Sequence, residues 1–416
     1  MKRRNRIKRI GIFGFGCVGQ GLYDVLQANP DFGLEVGGIC VKDKEKPRTL
    51  PSSAFTYNPQ DLLRDESIDL LAELISDPVE ALLIVRQALQ AGKTVVSANK
   101  KMIAENLPEL VELQQKYNGV LLYEASVCGS IPILRTLEAY YGTEQVHEVS
   151  GILNGSSNYI LSKLHSEGIN YAEALKQAQD LGFAEADPAL DVKGIDALNK
   201  LCIIAAHAFG TVVYPEEVLC SGIQHIKEED VALAKALGAN LKLVASARRT
   251  ETDRLELQVL PTFVPVSNEL YFVDAEFNGV QVEARFAGNQ FLKGRGAGSH
   301  PTGSAVWADV AAALAGYKYN YTKLNGQKPA ASDAYTIQVY VRSKNGAIPK
   351  LPWLQVKPLP GIENAYSGSI NTSDLLLFRT ELEKAGAFIA HVPELYDFEE
   401  LAIVAASINS EVEIAG

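Results

Sequence analysis

The sequence predicts an α/β fold, with a doubly wound and mostly parallel sheet at the start and a second α/β domain after it. Three observations predict this. A glycine-rich turn, Gly14-Phe15-Gly16-Cys17-Val18-Gly19, joins an apolar run to a helical one near the start of the chain. Strand-like and helix-like runs then alternate as far as Glu124, the pattern of βαβ units. Later runs at Leu255–Leu260, Tyr271–Phe277 and Val280–Phe286 have strand character and form a candidate sheet joining two subunits.

Taken in order, residues 7–13 read as an apolar strand and the run from Val18 to about Ala28 as a helix. Between them Gly14 permits the tight turn, Gly16 lets backbone approach a pyrophosphate, and Gly19 lets helix pack on strand. The helix start offers unpaired N–H groups to phosphate. Strands follow at Leu34–Val41, Ile68–Ile75, Thr94–Ser97 and Val120–Glu124. Helices are expected at Pro78–Ala91 and Leu107–Lys116, the second with Pro108 in its first turn. Ligands of such sheets lie at the carboxyl ends of the strands, which makes Ser76, Asn99, Lys100 and Glu124 rim candidates.

Composition narrows the function class. The 416 residues carry 39 Lys and Arg against 50 Asp and Glu, a formal charge of −11. That balance argues against nucleic acid and gives no attraction to an anionic membrane. No apolar stretch approaches the ~20 residues of a membrane span, and no signal-peptide core follows the basic start. The five cysteines form no CxxC pair, so reduced thiols in the cytoplasm are the plain reading.

The cofactor choice rests on the end of the second strand. Lys42, Lys46 and Arg48 suit the 2′-phosphate of NADP, while Asp43 keeps NAD open. Downstream, Lys100 stands just past a buried strand; read alone it is a surface lysine. Asn154, Ser156 and Ser157 read as helix caps. The stretch 181–200 is the most informative. Pro188 forces a loop, and a helix then runs from about Val192 to Phe209 with Leu198, Cys202, Ala205 and Phe209 as one apolar stripe. Asp196 and Lys200 are spaced i, i+4 on another face, with His207 further along, so Glu185, Asp191, Asp196 and Lys200 can converge on one side of a cleft. On spacing alone a surface ion pair competes with that reading.

Together the segments GFGCVG, SANKK, YEASVCGSIP, GILNGSSNYIL, LGFAEADPALDVKGIDALNKL and GRGAGSHPTGSAV resemble homoserine dehydrogenases, in that family's order and as far as about residue 320. The resemblance implies a Rossmann-type domain over 1–132, completed by a returning helix at 300–320, and a substrate and dimerisation domain over 133–299. It implies NAD(P)H-dependent reduction of L-aspartate 4-semialdehyde to L-homoserine, in threonine, methionine and isoleucine biosynthesis, by a homo-oligomer. Gly14, Phe15, Gly16, Val18, Gly19, Lys42, Ser76, Lys100 and Gly298 would meet the cofactor. Glu185 and Asp191 would face the amino end of the substrate, Asp196 would orient the reacting group, and Lys200 would donate the proton, with Lys100 beside the nicotinamide. The YEASV loop resembles the family's monovalent-cation site, implicating Glu124, Val127, Gly129 and Ile131 for an ion such as Na+.

The tail departs from the family. Many relatives end in an ACT domain opening with strand, Asp-x-Pro-Gly and helix. Here Tyr335–Arg342 is strand-like, but Ser343–Pro349 lacks that signature. Residues 332–416 are therefore left without a clear ACT assignment or threonine control. Two rivals stand beside the main reading. One is another amino acid or semialdehyde dehydrogenase; the other is a non-catalytic dinucleotide sensor, which would have no use for Lys100 and Lys200.

Overall fold

The computed structural model describes residues 7–344 and 350–414. The first stretch runs β1 (Lys8–Phe13), α1 (Cys17–Ala28), β2 (Leu34–Cys40), β3 (Phe55–Thr56), α2 (Gln60–Leu63), β4 (Leu70–Glu73), α3 (Pro78–Gln90), β5 (Thr94–Ser97), α4 (Lys100–Tyr117), β6 (Val120–Leu122) and α5 (Ile133–Ala139). The middle runs β7 (Val146–Ile152), α6 (Gly155–Glu167), α7 (Tyr171–Asp180), α8 (Ala189–Val192), α9 (Ile195–Phe209), β8 (Leu219–Cys220), α10 (Glu228–Ala236), β9 (Ala239–Arg249), β10 (Arg254–Pro265), β11 (Phe277–Ala284) and β12 (Gly288–Arg295). The last part runs α11 (Ser299–Leu314), α12 (Thr322–Asn325), β13 (Ala330–Ala331), β14 (Thr336–Arg342), β15 (Gln355–Pro358), β16 (Ala365–Asn371), α13 (Thr372–Leu377), α14 (Arg379–Lys384), β17 (Phe388–His391) and α15 (Phe398–Ile414).

The chain forms two compact units. The first comprises residues 1–143, 202–212 and 294–326. The break expected at 132/133 therefore falls at 143/144, because α5 packs with the first unit. Its sheet is parallel in the order β3-β2-β1-β4-β5-β6. The chain leaves β1 toward β2 and later returns to β4 on the other side, so the topological switch point lies between β1 and β4. Ile10, Ile12 and Phe13 of β1 are fully buried. Such side chains each contribute about 1.5–3 kcal/mol on leaving water. Helix α11 lies backbone to backbone on α1: a Cβ at Gly21 would stand 2.1 Å from the Ser299 carbonyl oxygen, and one at Gly303 2.5 Å from the Gly21 carbonyl carbon. Only glycine allows that approach.

Helix α4 differs from expectation. It starts at Lys100 rather than Leu107, and Pro108 lies inside it. The Asn99 side chain accepts from Met102 N at 3.0 Å and so caps the earlier start. Pro108 is itself exposed, and having no N–H it removes one hydrogen bond from the helix, to the carbonyl of Ala104.

The second unit comprises residues 144–201, 213–293 and 327–416. The C-terminal region, treated from sequence as separate, joins this unit through its sheet. Nine strands run in the order β12-β11-β7-β9-β10-β17-β14-β16-β15, with β8 and β13 also on β10. Of the run Tyr271–Phe277 expected as a strand, only Phe277 enters one, as the first residue of β11; Tyr271 and Phe272 close a short turn of helix and 273–276 form a loop. The buried Asn158 amide organises that loop by donating to the carbonyls of Val273, Ala275 and Phe277. In the C-terminal part β17-β14-β16-β15 is antiparallel throughout. This is the order of a ferredoxin-like split βαβ sheet. No helix joins β14 to β15 among the described residues, and α15 packs on β15 and β16 instead. A buried pair ties this sheet to α10: Arg342 donates to both Asp230 oxygens at 2.7 and 2.6 Å, and Tyr340 donates to the same carboxylate.

Candidate active site

The chemistry-bearing residues of the second unit meet at the start of α9. The single helix expected from Val192 is broken at Gly194, whose φ of +80° suits glycine. Helix α8 ends before it, and α9 restarts at Ile195. Lys200 lies one turn into α9 from Asp196, and its side chain is buried. Its Nζ donates to Asp196 Oδ2 at 2.7 Å and to the Leu153 carbonyl at 2.6 Å. An ammonium has three donors, so one remains beyond these two.

Asn154 completes the group. Its Nδ2 donates to Asp191 Oδ1 at 2.7 Å and to Asp196 Oδ2 at 2.9 Å, while its Oδ1 accepts from Ser157 N. Sequence reasoning gave Asn154 only the capping role. The signal that could have exposed the second role is its place directly after β7, beside the carbonyl that Lys200 uses. Burial raises the Asp191 pKa, and repulsion from Asp196 adds to this; the Asn154 amide and Lys200 oppose it. The cluster is thus two carboxylates, one amide and one ammonium, with a positive donor held in low dielectric.

Glu185 stands apart. It is exposed on the loop after α7, where its carbonyl accepts from Gln179 Nε2 at 3.0 Å. The structure brings Asp191, Asp196 and Lys200 together and leaves Glu185 outside their hydrogen bonds. His207 serves elsewhere: its ring bridges Tyr123 Oη and Glu138 Oε1, each at 2.7 Å, in the first unit.

The first unit carries the cradle. Gly14 has φ +92°, and a Cβ there would stand 2.5 Å from the Leu74 carbonyl oxygen. A Cβ at Gly19 would stand 2.3 Å from the Gly14 carbonyl oxygen, whereas one at Gly16 meets nothing within 4 Å. Gly16 therefore faces open space, and no side chain caps α1. An exposed helix start with a glycine-lined approach fits a pyrophosphate. Val18 is in the first turn, and Phe15 turns its ring inward onto Tyr23 and Phe55. Gly298 caps α11 with φ +117°, and Ser299 Oγ donates to the Cys17 carbonyl at 2.8 Å, which brings the α11 start to the same turn. Ser76 is exposed past β4, and Lys100 is the first residue of α4. Lys42 is exposed and pairs with Glu80 at 3.2 Å. The Arg48 guanidinium lies over the Phe55 ring. Asp43 Oδ1 is occupied, accepting from Glu45 N and Lys46 N.

The 124–131 loop is strapped at both ends. The Glu124 carboxylate accepts from Leu134 N and Arg135 N at 2.8 and 2.7 Å, capping α5. Its backbone N donates to Asp309, which also pairs with Arg135. Burial and repulsion from Asp309 push the Glu124 carboxyl up to about 8. Cys128 and Gly129 both have positive φ. The carbonyls of Glu124 and Ile131 accept from Val127 N and Ile133 N. Those of Val127 and Gly129 accept no backbone hydrogen bond among the described residues. Among the described residues no group of three or more His, Cys, Asp or Glu could hold a metal, and no helix is long and apolar enough to cross a membrane.

Comparison with known proteins adds the family context. Residues 14–124 match the family model described as the NAD binding domain of homoserine dehydrogenase, and residues 132–311 match the model described as homoserine dehydrogenase. The chain is 36% identical over 363 residues to a homoserine dehydrogenase of Bacillus subtilis (strain 168), covering 82% of this chain and 83% of the relative. It is 38% identical over 309 residues to one of Neisseria gonorrhoeae (strain ATCC 700825 / FA 1090), covering 72% and 71%. Among solved structures, a homoserine dehydrogenase from Thiobacillus denitrificans superposes with a TM-score of 0.79 at 29% identity, covering 94% of this chain and 99% of that one. A hyperthermophilic archaeal homoserine dehydrogenase mutant in complex with NADPH superposes with a TM-score of 0.65 at 27% identity, covering 75% and 99%.

Proposed function

The chain belongs to the homoserine dehydrogenase family, an NAD(P)-dependent oxidoreductase family, and from that membership we propose that Lys200 is the proton donor for reduction of L-aspartate 4-semialdehyde to L-homoserine. The observation that carries this is the buried Lys200 ammonium held between Asp196 and the Leu153 carbonyl. When bound, the reduced nicotinamide supplies the hydride to the aldehyde carbon. Lys200 Nζ gives its proton to the oxygen as negative charge develops there, and takes it back in the reverse direction. Asp196 holds the ammonium in position through its Oδ2 at 2.7 Å. Asp191 offers a carboxylate to the substrate ammonium, with Glu185 as a second acidic contact from the exposed loop.

The Gly14–Gly19 turn and the start of α11 would hold the dinucleotide phosphates, with Ser76 and Lys100 on the nicotinamide side. NADP is the proposed preference: Lys42, Lys46 and Arg48 follow β2, and Asp43 Oδ1 is already taken up by its own turn. A monovalent cation such as Na+ is proposed at the 124–131 loop, supported by the Val127 and Gly129 carbonyls. Assembly as a homo-oligomer is proposed through the sheet face of the second unit. There Glu148, Ser246, Arg248, Gln258, Gln338 and His391 line a trough of about 470 Å³. The amide oxygens of Gln258 and Gln338 are buried without a hydrogen-bond partner among the described residues, which supports a second copy packing there.

The test is a steady-state assay with L-homoserine, comparing NADP+ and NAD+ by absorbance. Turnover with a higher kcat/KM for NADP+ is the expected result. Absence of turnover with either cofactor, while a different amino alcohol is oxidised, defeats the substrate assignment.

A further inference from the structure

Glu73 is a buried carboxylate that the proposed chemistry does not use. It ends β4, across the switch point from the Gly14–Gly19 turn, and its side chain has no exposure to solvent. Its two oxygens are both engaged. Oε1 accepts from Ile75 N at 2.7 Å, and Oε2 accepts from Ser97 Oγ at 2.6 Å. Ser97 Oγ in turn accepts from Asn99 N at 3.1 Å, and Asn99 Nδ2 donates to the Ile75 carbonyl at 2.9 Å. These four residues close a ring: Glu73, Ile75, Asn99, Ser97 and back to Glu73.

The ring has a specific address. Ile75 immediately precedes Ser76, and Asn99 immediately precedes Lys100. Asn99 also caps α4 through Met102 N, so the ring fixes where that helix begins and therefore where Lys100 sits. The Leu74 carbonyl, between ring members, is the atom that a side chain at Gly14 would strike. A buried carboxyl is a costly way to finish a strand, since an apolar residue would fill the space without desolvating charge. Burial pushes this carboxyl up to about 7, against the stabilising bonds from Ser97 and Ile75 N. Its return is geometric: each oxygen fixes a different loop, and a fully satisfied buried network specifies one arrangement.

We propose that Glu73 is a positioning residue for the nicotinamide side of the dinucleotide site, holding the two loops that carry Ser76 and Lys100 at one separation through the Ser97–Asn99–Ile75 ring. This rests on the reading of the first unit as the NAD(P)-binding domain. Glu73 touches neither substrate nor cofactor in this assignment; it acts through the backbone of its neighbours.

The experiment uses the full chain with NADPH as probe. Binding is read by protein-fluorescence titration, and kinetics are read with homoserine at saturating cofactor. Glu73→Gln keeps the shape but gives Ser97 a donor where it needs an acceptor. Ser97→Ala removes the other half of the same bond at a smaller site, and keeps the test alive if the first variant folds poorly. Each is expected to weaken NADPH binding about tenfold, the cost of one charge-assisted hydrogen bond. KM for homoserine should stay within about twofold, and the double variant should bind NADPH no worse than the weaker single, because both changes open one ring. Unchanged NADPH affinity in the soluble variants would overturn the proposal. So would fully additive losses, or a homoserine KM rising as much as the NADPH constant, either of which marks general loosening. A wild-type chain that binds neither NADPH nor NADH defeats the functional reading itself, a result distinct from equal binding by wild type and variants.

Discussion

Replacing Lys200 by methionine separates proton donation from folding. The substitution keeps most of the side-chain volume inside a helix that is buried along Ala197, Leu198, Leu201, Cys202 and Ala205. It deletes two hydrogen bonds, to Asp196 Oδ2 and the Leu153 carbonyl. Breaking a buried ion pair by removing one partner costs about 3–5 kcal/mol when the other charge is left alone. Here Asp196 Oδ2 still accepts from Asn154 Nδ2 at 2.9 Å, so the loss should fall at or below the low end of that range. The chain should remain folded. The catalytic loss is larger: removing a positioned acid costs about 10²–10⁴-fold in rate. Three measurements on one preparation decide it. NADPH oxidation with aspartate semialdehyde should drop by that factor, NADPH affinity by fluorescence should change less than about twofold, and circular dichroism should match the wild type. Wild-type turnover in the variant would refute the assignment and move the role to Lys100. Lost secondary structure would show that Lys200 is held for stability.

Three further outcomes are expected. Lys42→Ala should raise KM for NADPH several-fold and leave KM for NADH nearly unchanged; equal effects on both, seen in initial-rate kinetics, would remove Lys42 from the 2′-phosphate site. Asn154→Ala removes the amide bridging Asp191 and Asp196, so kcat should fall about tenfold or more while NADPH binding persists, and unchanged kcat would reduce Asn154 to a helix cap. Burial lowers the His391 pKa to about 4 from 6.5, with Arg248 adding to the shift, so the folded chain resists protonation there. Between about 6.5 and 4 the unfolded chain binds more protons, and the contribution to stability is lost as pH falls through that window. His391→Asn should therefore flatten the acid limb of Tm against pH, and an unaltered limb would count against it.

The nucleotide half was legible because its signals are local. Gly14, Gly16 and Gly19 answer to backbone geometry, and the strands at Leu34, Thr94 and Val120 are short apolar runs with clear ends. The errors share a cause, which is competition from partners distant in sequence. Pro108 reads as a helix start, yet Asn99, held by Ile75 and Ser97, begins the helix earlier. Tyr271–Phe277 has strand composition, but the Asn158 amide takes its carbonyls. Asn154 reads as a cap because half of it is one; the other half reaches Asp191 and Asp196, and no spacing rule links 154 to 191. Asp196 and Lys200 were visible at i, i+4, but their burial was not. Glu185 shows the converse, since proximity in sequence to Asp191 did not bring its side chain into the cluster.

The backbone contact of Gly21 with Ser299 and Gly303 also bears on how the chain is made. The bond from Ser299 to the Cys17 carbonyl spans 282 residues. At a synthesis rate of about 5–20 residues per second, roughly 14–56 s separate emergence of its two ends from the ribosome. Through that interval the face of α1 that α11 will cover has no partner, and the loop to be closed encloses most of the other unit. The nucleotide-binding half, although first in the sequence, is thus completed late in translation. A nascent chain halted before Ser299 should present that uncovered face to chaperones.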